Sequence, residues 1–308
     1  MGKGGAGKTT VAAGLVRALS RKAGPVLALD GDLNVHLGGV LGLPVRALHA
    51  ESEEIARWLE PSLHEISPVI GTTPPTSSSR FVRVSADDPF LERWATWSAE
   101  RRTALLTVGT YQPEDVGAHC YHVKLEVAQM VLHRTLDTPA NWVVSDSTAG
   151  IDAVGTSLLF TSDVNLFVVE PSARSLAVYR DFAAVASQHG LRTLVLANKV
   201  ADREDARLLR EALPATDLVG ELGPSDAIRR LDRGDAGALD EFVDENAQLW
   251  ATIGGLAASS ERDWDAYLAR LRKVFADNCS WWYDAYYGRS LGEHLDAGFR
   301  YADVAERR

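Results

Sequence analysis

Residues 2 to 9, Gly2-Lys3-Gly4-Gly5-Ala6-Gly7-Lys8-Thr9, complete a G-x-x-x-x-G-K-[ST] phosphate loop. Glycines let the backbone turn so that successive N–H groups face one anion. A helix beginning near Thr9 adds the positive end of its dipole at the same point. In such a loop Lys8 reaches the outer phosphates and the Thr9 hydroxyl faces Mg²⁺, with Gly4, Gly5, Ala6, Gly7 and Thr10 completing the binding segment. The motif also constrains the fold, because a loop of this kind joins the end of a buried strand to a helix. Only Met1 stands before Gly2. The feeding strand, normally central and covered on both faces, is therefore expected to be missing, which would leave two neighbouring strands with open edges.

Short apolar strands alternate with helical stretches along the rest of the chain. Strands are predicted at 25–29, 103–108, 142–145, 164–169, 193–197 and 218–222. Helices are predicted at 9–22, 122–136 and 175–188, with shorter ones at 51–59 and 89–98 flanking a turn-rich stretch at 72–79. This pattern predicts an α/β fold with a doubly wound, mostly parallel sheet. It stops near residue 236. The expected organisation is a phosphate-loop domain over 1–236 and a helical C-terminal addition over 237–308.

Three further strand ends carry chemistry. Asp30-Gly31-Asp32 closes the first predicted strand, Asp146-Ser147-Thr148-Ala149-Gly150 closes another, and Asn198-Lys199 closes a third. Open α/β sheets bind ligands at the carboxyl ends of their strands. Taken alone, each motif also reads as a turn or a cap.

In this order, and with the additional Lys3, the motifs resemble the deviant Walker A ATPases of the MinD/ParA/ArsA family. The resemblance covers residues 2 to about 236 and implies ATP and Mg²⁺ as ligands. It implies that Lys3 reaches across an ATP-dependent homodimer to the partner's phosphates and that Asp32 orients the attacking water. Asp30 and Asp146 would stand near the Mg²⁺ with Thr9. It gives Asn198, Lys199 and Pro224 to the adenine pocket, and Glu170-Pro171-Ser172 matches the family's strand end before the next helix. It further implies slow ATP hydrolysis, stimulated by a client protein. Membrane or DNA positioning and a slow ATP-binding adaptor remain as alternative roles.

Within the family, the chain is similar in character to the metal-insertion ATPases that serve carbon monoxide dehydrogenase. These carry a C-x-C pair where this chain has Cys120-Tyr121-His122. Thiolate and imidazole together suit Ni²⁺ or Zn²⁺. The competing reading of the segment is a buried thiol beside a capping or interface histidine.

Composition narrows the partners. The net charge of −10 opposes non-specific nucleic-acid binding. No apolar run approaches the roughly 18 residues of a spanning helix. The terminal stripe Leu291, Leu295 and Phe299 is accompanied by Glu293, Asp296, Asp303 and Glu306, which is the pattern of a packing helix rather than a membrane anchor. The two cysteines, Cys120 and Cys279, give no disulfide framework and fit the reducing cytoplasm.

Overall fold

A computed structural model describes residues 1–22, 24–61, 71–113, 121–138, 140–150, 158–260 and 262–305. Helix α1 (Lys8–Lys22) leaves the phosphate loop and leads to strand β1 (Val26–Gly31), buried along its whole length. Alternate residues of β1 serve opposite cores, as the two-residue period of a strand requires. Val26 and Ala28 join Val11, Val16 and Leu105 beneath α1. Leu27 and Leu29 join Phe90, Trp94, Leu106 and Val131 on the other face. Burial on both faces is why these strands read as unbroken apolar runs.

The remaining strands are β2 (Val82–Arg83), β3 (Thr96–Trp97), β4 (Thr103–Thr107), β5 (Thr135–Leu136), β6 (Trp142–Ser147), β7 (Asn165–Val169), β8 (Thr193–Asn198) and β9 (Leu218–Leu222). One sheet runs β3-β4-β1-β6, parallel except for the β3 edge. A second runs β7-β8-β9, all parallel. The short pair β2-β5 is separate. The α/β architecture read from the sequence is thus present.

Among the described residues no strand lies between the edges of β6 and β7. A cavity of about 630 Å³ occupies that place, walled by Val11, Leu15 and Leu19 of α1 and by Leu158 and Leu159 on the other side. Met1 and Gly2 cover one end of the β7 edge. The Met1 ammonium donates to Leu166 O at 2.7 Å, Val168 N donates to Met1 O at 2.8 Å, and Gly2 bridges Val168 in parallel.

Two expected helices end early. The helix Tyr121–His133 stops because Arg134, fully buried, donates to Glu60 Oε1 at 2.6 Å and to the carbonyls of Thr73, Pro74 and Met130. The next two residues pair with β2 instead. The helix Pro89–Trp94 is capped by Asp88 and gives way to β3, which pairs antiparallel with β4.

Beyond residue 236, helices Ala238–Glu245 and Ala247–Ala258 pack on α1, where Phe242, Trp250 and Ile253 share the first core. The helix Trp264–Asn278 belongs to a separate cluster with Leu136, Phe299 and Tyr301. It is tied down by Arg262, which pairs with Asp163 at 2.6 Å and Asp137 at 3.0 Å. Among the described residues no helix is long and apolar enough to cross a membrane.

Candidate nucleotide site

The loop is held from three directions. Ala6 N donates to Lys3 O at 3.1 Å, which closes the first turn, and Val11 N donates to Gly7 O at 3.0 Å, which begins α1. Gly5 and Gly7 take φ of 77° and 93°, a region that side chains strain to enter. Gly7 also has a neighbour: a Cβ there would stand 2.3 Å from Asn198 Nδ2. That amide donates to Ala6 O at 2.7 Å, so Asn198, buried at the end of β8, braces the loop from behind. Lys199, at φ 61°, donates to Gly5 O. On the other side Gly150 N donates to Gly2 O at 2.9 Å, tying the segment after β6 to the loop's first residue.

The carboxylates come from β1 and β6. In the parallel register Asp30 stands opposite Asp146. Asp30 is fully buried and accepts from Leu37 N at 3.0 Å and Asp32 N at 3.3 Å. Burial, with the neighbouring Asp146 charge, pushes its pKa up to about 7. Asp146 is also pushed up by burial, against a hydrogen bond with the Thr9 hydroxyl and the charges of the Met1 ammonium and Lys8. Its Oδ2 is buried without a hydrogen-bond partner. Two crowded carboxylates, one oxygen unpartnered, and an adjacent hydroxyl form a donor set suited to a hard divalent cation, which takes oxygen ligands. Lys8 is almost buried, its Nζ 3.9 Å from Asp32 Oδ2. The other Asp32 oxygen accepts from Asn34 N and Nδ2, both at 3.0 Å.

The chain belongs to the CobQ/CobB/MinD/ParA family of nucleotide-binding domains. That family's sequence pattern matches residues 1–233, the span that carries the loop and all three strand-end motifs. The chain is 27% identical over 246 residues to the carbon monoxide dehydrogenase accessory protein of Rhodospirillum rubrum, covering 78% of this chain and 88% of that protein. It is 28% identical over 213 residues to an uncharacterized ATP-binding protein of Methanocaldococcus jannaschii, covering 69% and 77%. Among solved structures, the cell division ATPase MinD of Pyrococcus furiosus superposes with a TM-score of 0.52 at 22% identity, over 83% of this chain and 96% of that one. A ParA family ATPase from Chlorobium tepidum gives 0.51 at 20%, over 83% and 93%. These two establish the fold.

Within this MinD/ParA-type frame, Lys8, Thr9, Asp30, Asp32 and Asp146 converge on the loop. Lys3 lies at its outer face and contacts Glu170. Pro224 is exposed just past β9, where Leu222 O accepts from Val200 N at 3.0 Å. Cys120 and the side chain of His122 lie outside the described residues. Among the described residues no three His, Cys, Asp or Glu side chains gather as a metal cluster. Sequence reading matched Glu170 to a strand-end motif without finding its contact with Lys3. A carboxylate beside a family proline at a strand end was the available signal.

Proposed function

We propose that this protein is a MinD/ParA-type ATPase that binds ATP with Mg²⁺, dimerises through it, and acts on a client protein. The carrying observation is the meeting of Lys8, Thr9, Asp30, Asp32 and Asp146 at one loop, with one Asp146 oxygen unpartnered. The loop N–H groups and Lys8 would bind the phosphates. Thr9, Asp30 and Asp146 would hold the Mg²⁺, which supplies charge neutralisation to phosphoryl transfer. Asp32, poised beside Lys8, would orient water, and its hydrogen bonds to Asn34 fix it for that task. Hydrolysis would be slow and stimulated by the client, and would separate the subunits.

The match to a carbon monoxide dehydrogenase accessory protein favours a metalloenzyme as client; a cytoplasmic location is part of the same proposal. Residues 237–308 would form the partner-facing addition, where Trp281, Trp282 and Tyr286 are exposed. Ni²⁺ or Zn²⁺ at Cys120 and His122 would be cargo in that reading.

Calorimetry and turnover test the proposal. Lys8→Ala should abolish Mg·ATP binding. Asp32→Ala should bind normally but hydrolyse about 10²-fold more slowly. Equal ATP affinity in Lys8→Ala would refute the assignment.

A further inference from the structure

The two lysines of the loop have different surroundings. Lys8 lies inside the site, while Lys3 faces outward at the mouth with its side chain 29% exposed. The Lys3 ammonium stands 2.6 Å from Glu170 Oε1 and donates to Gly4 O at 3.2 Å. The other Glu170 oxygen is 3.4 Å from Lys199 Nζ, and Ser172 Oγ is 3.4 Å from Oε1. Burial raises the Glu170 pKa, but the hydrogen bond and charge of Lys3, with Lys199, outweigh it and hold the carboxyl below its usual range. The protomer therefore keeps Lys3 on its own carboxylate.

We propose that Glu170 is a positioning residue that holds Lys3 in a resting place, and that Lys3 leaves it only for the nucleoside triphosphate bound by a second copy of this chain. The inference rests on the dimerising reading above. Three features fit it. Lys3 O is anchored by Ala6 N, so the side chain can swing while the loop keeps its shape. Lys199 already faces the same carboxylate at 3.4 Å, so Glu170 keeps a cationic partner after Lys3 departs. A triphosphate also carries more negative charge than one carboxylate, so bound nucleotide favours the exchange. The salt bridge then sets the threshold for dimerisation.

The test is Glu170→Gln, which keeps the shape and removes the charge, made in an Asp32→Ala background to prevent turnover. The dimer Kd is read by analytical ultracentrifugation in saturating Mg·ATP. A partly exposed ion pair accounts for about a threefold effect per latch, and two latches open per dimer, so the dimer should tighten by about tenfold. The gain should shrink in high salt. Monomer affinity for ATP should stay within about twofold, since Lys8 and the loop N–H groups are untouched. Glu170→Asp, whose carboxylate retreats from Lys3, should give a smaller gain in the same direction. An unchanged or weaker dimer in Glu170→Gln, with Lys3→Gln unable to dimerise, would overturn the latch and leave the dimer standing. A parent protein that stays monomeric at saturating ATP would overturn both.

Discussion

Asn198 offers a sharp test of how this site is built, because its amide points at the loop. Nδ2 donates to Ala6 O at 2.7 Å, and the residue is 6% exposed. Asn198→Ala would leave the Ala6 carbonyl buried beside an empty space and free the loop segment next to Gly7. An unsatisfied buried polar group costs about 1–3 kcal/mol. If that cost falls on ordering the loop for phosphate, binding weakens by about 5- to 150-fold, at 1.4 kcal/mol per decade. The assay is calorimetric titration with Mg·ATP and, in parallel, Mg·triphosphate, which has no base. A brace behind the loop predicts equal loss for both ligands. A residue that reads adenine predicts loss for ATP alone. Binding of both ligands within twofold of the parent would refute the brace and the reasoning behind it.

Further outcomes follow from buried charges. Asp30, with a folded pKa near 7 against 3.8 unfolded, takes up a proton on folding between those values. Stability of the nucleotide-free protein should therefore be highest below about pH 4 as far as this group is concerned, and should be lost as pH rises through 7, by up to about 4 kcal/mol. Urea titrations of Asp30→Asn should show that component of the pH slope removed. Glu60 and Arg134 are both fully buried and paired. Glu60→Ala should cost about 3–5 kcal/mol in urea unfolding by stranding the guanidinium, and Glu60→Leu with Arg134→Met should recover much of the loss.

Much of the architecture was legible because it is written locally. The strands at Val26–Gly31, Asn165–Val169 and Thr193–Asn198 are apolar runs closed by polar residues, and their ends carried the site in chain order. The loop glycines announce themselves through a backbone that only glycine enters easily. What escaped is non-local. Nothing near Arg134 says that Glu60 will lie against it, so the local helical pattern runs on past His133. Thr96 and Trp97 continue a helical pattern, and only the free edge of β4 draws them out of it. The resemblance gives Asn198 to the adenine pocket and says nothing of its contact with the loop. The amide donor is aimed at Ala6 across a chain separation that no spacing rule spans. Lys3 and Glu170 likewise meet only because β7 lies beside the loop.

The loop stands where two groups of strands meet. Asp30, Asp32 and Asp146 ride on one half-sheet, while Glu170, Asn198 and Lys199 ride on the other. Gly2 reaches both halves, bridging Val168 and accepting from Gly150. The two groups of strands are joined here as well as through the core beneath α1, which holds Val144 of one and Val168 of the other. Under the proposed function, a cation held by Asp30 and Asp146 and phosphates held by the loop would together engage residues carried by both groups of strands.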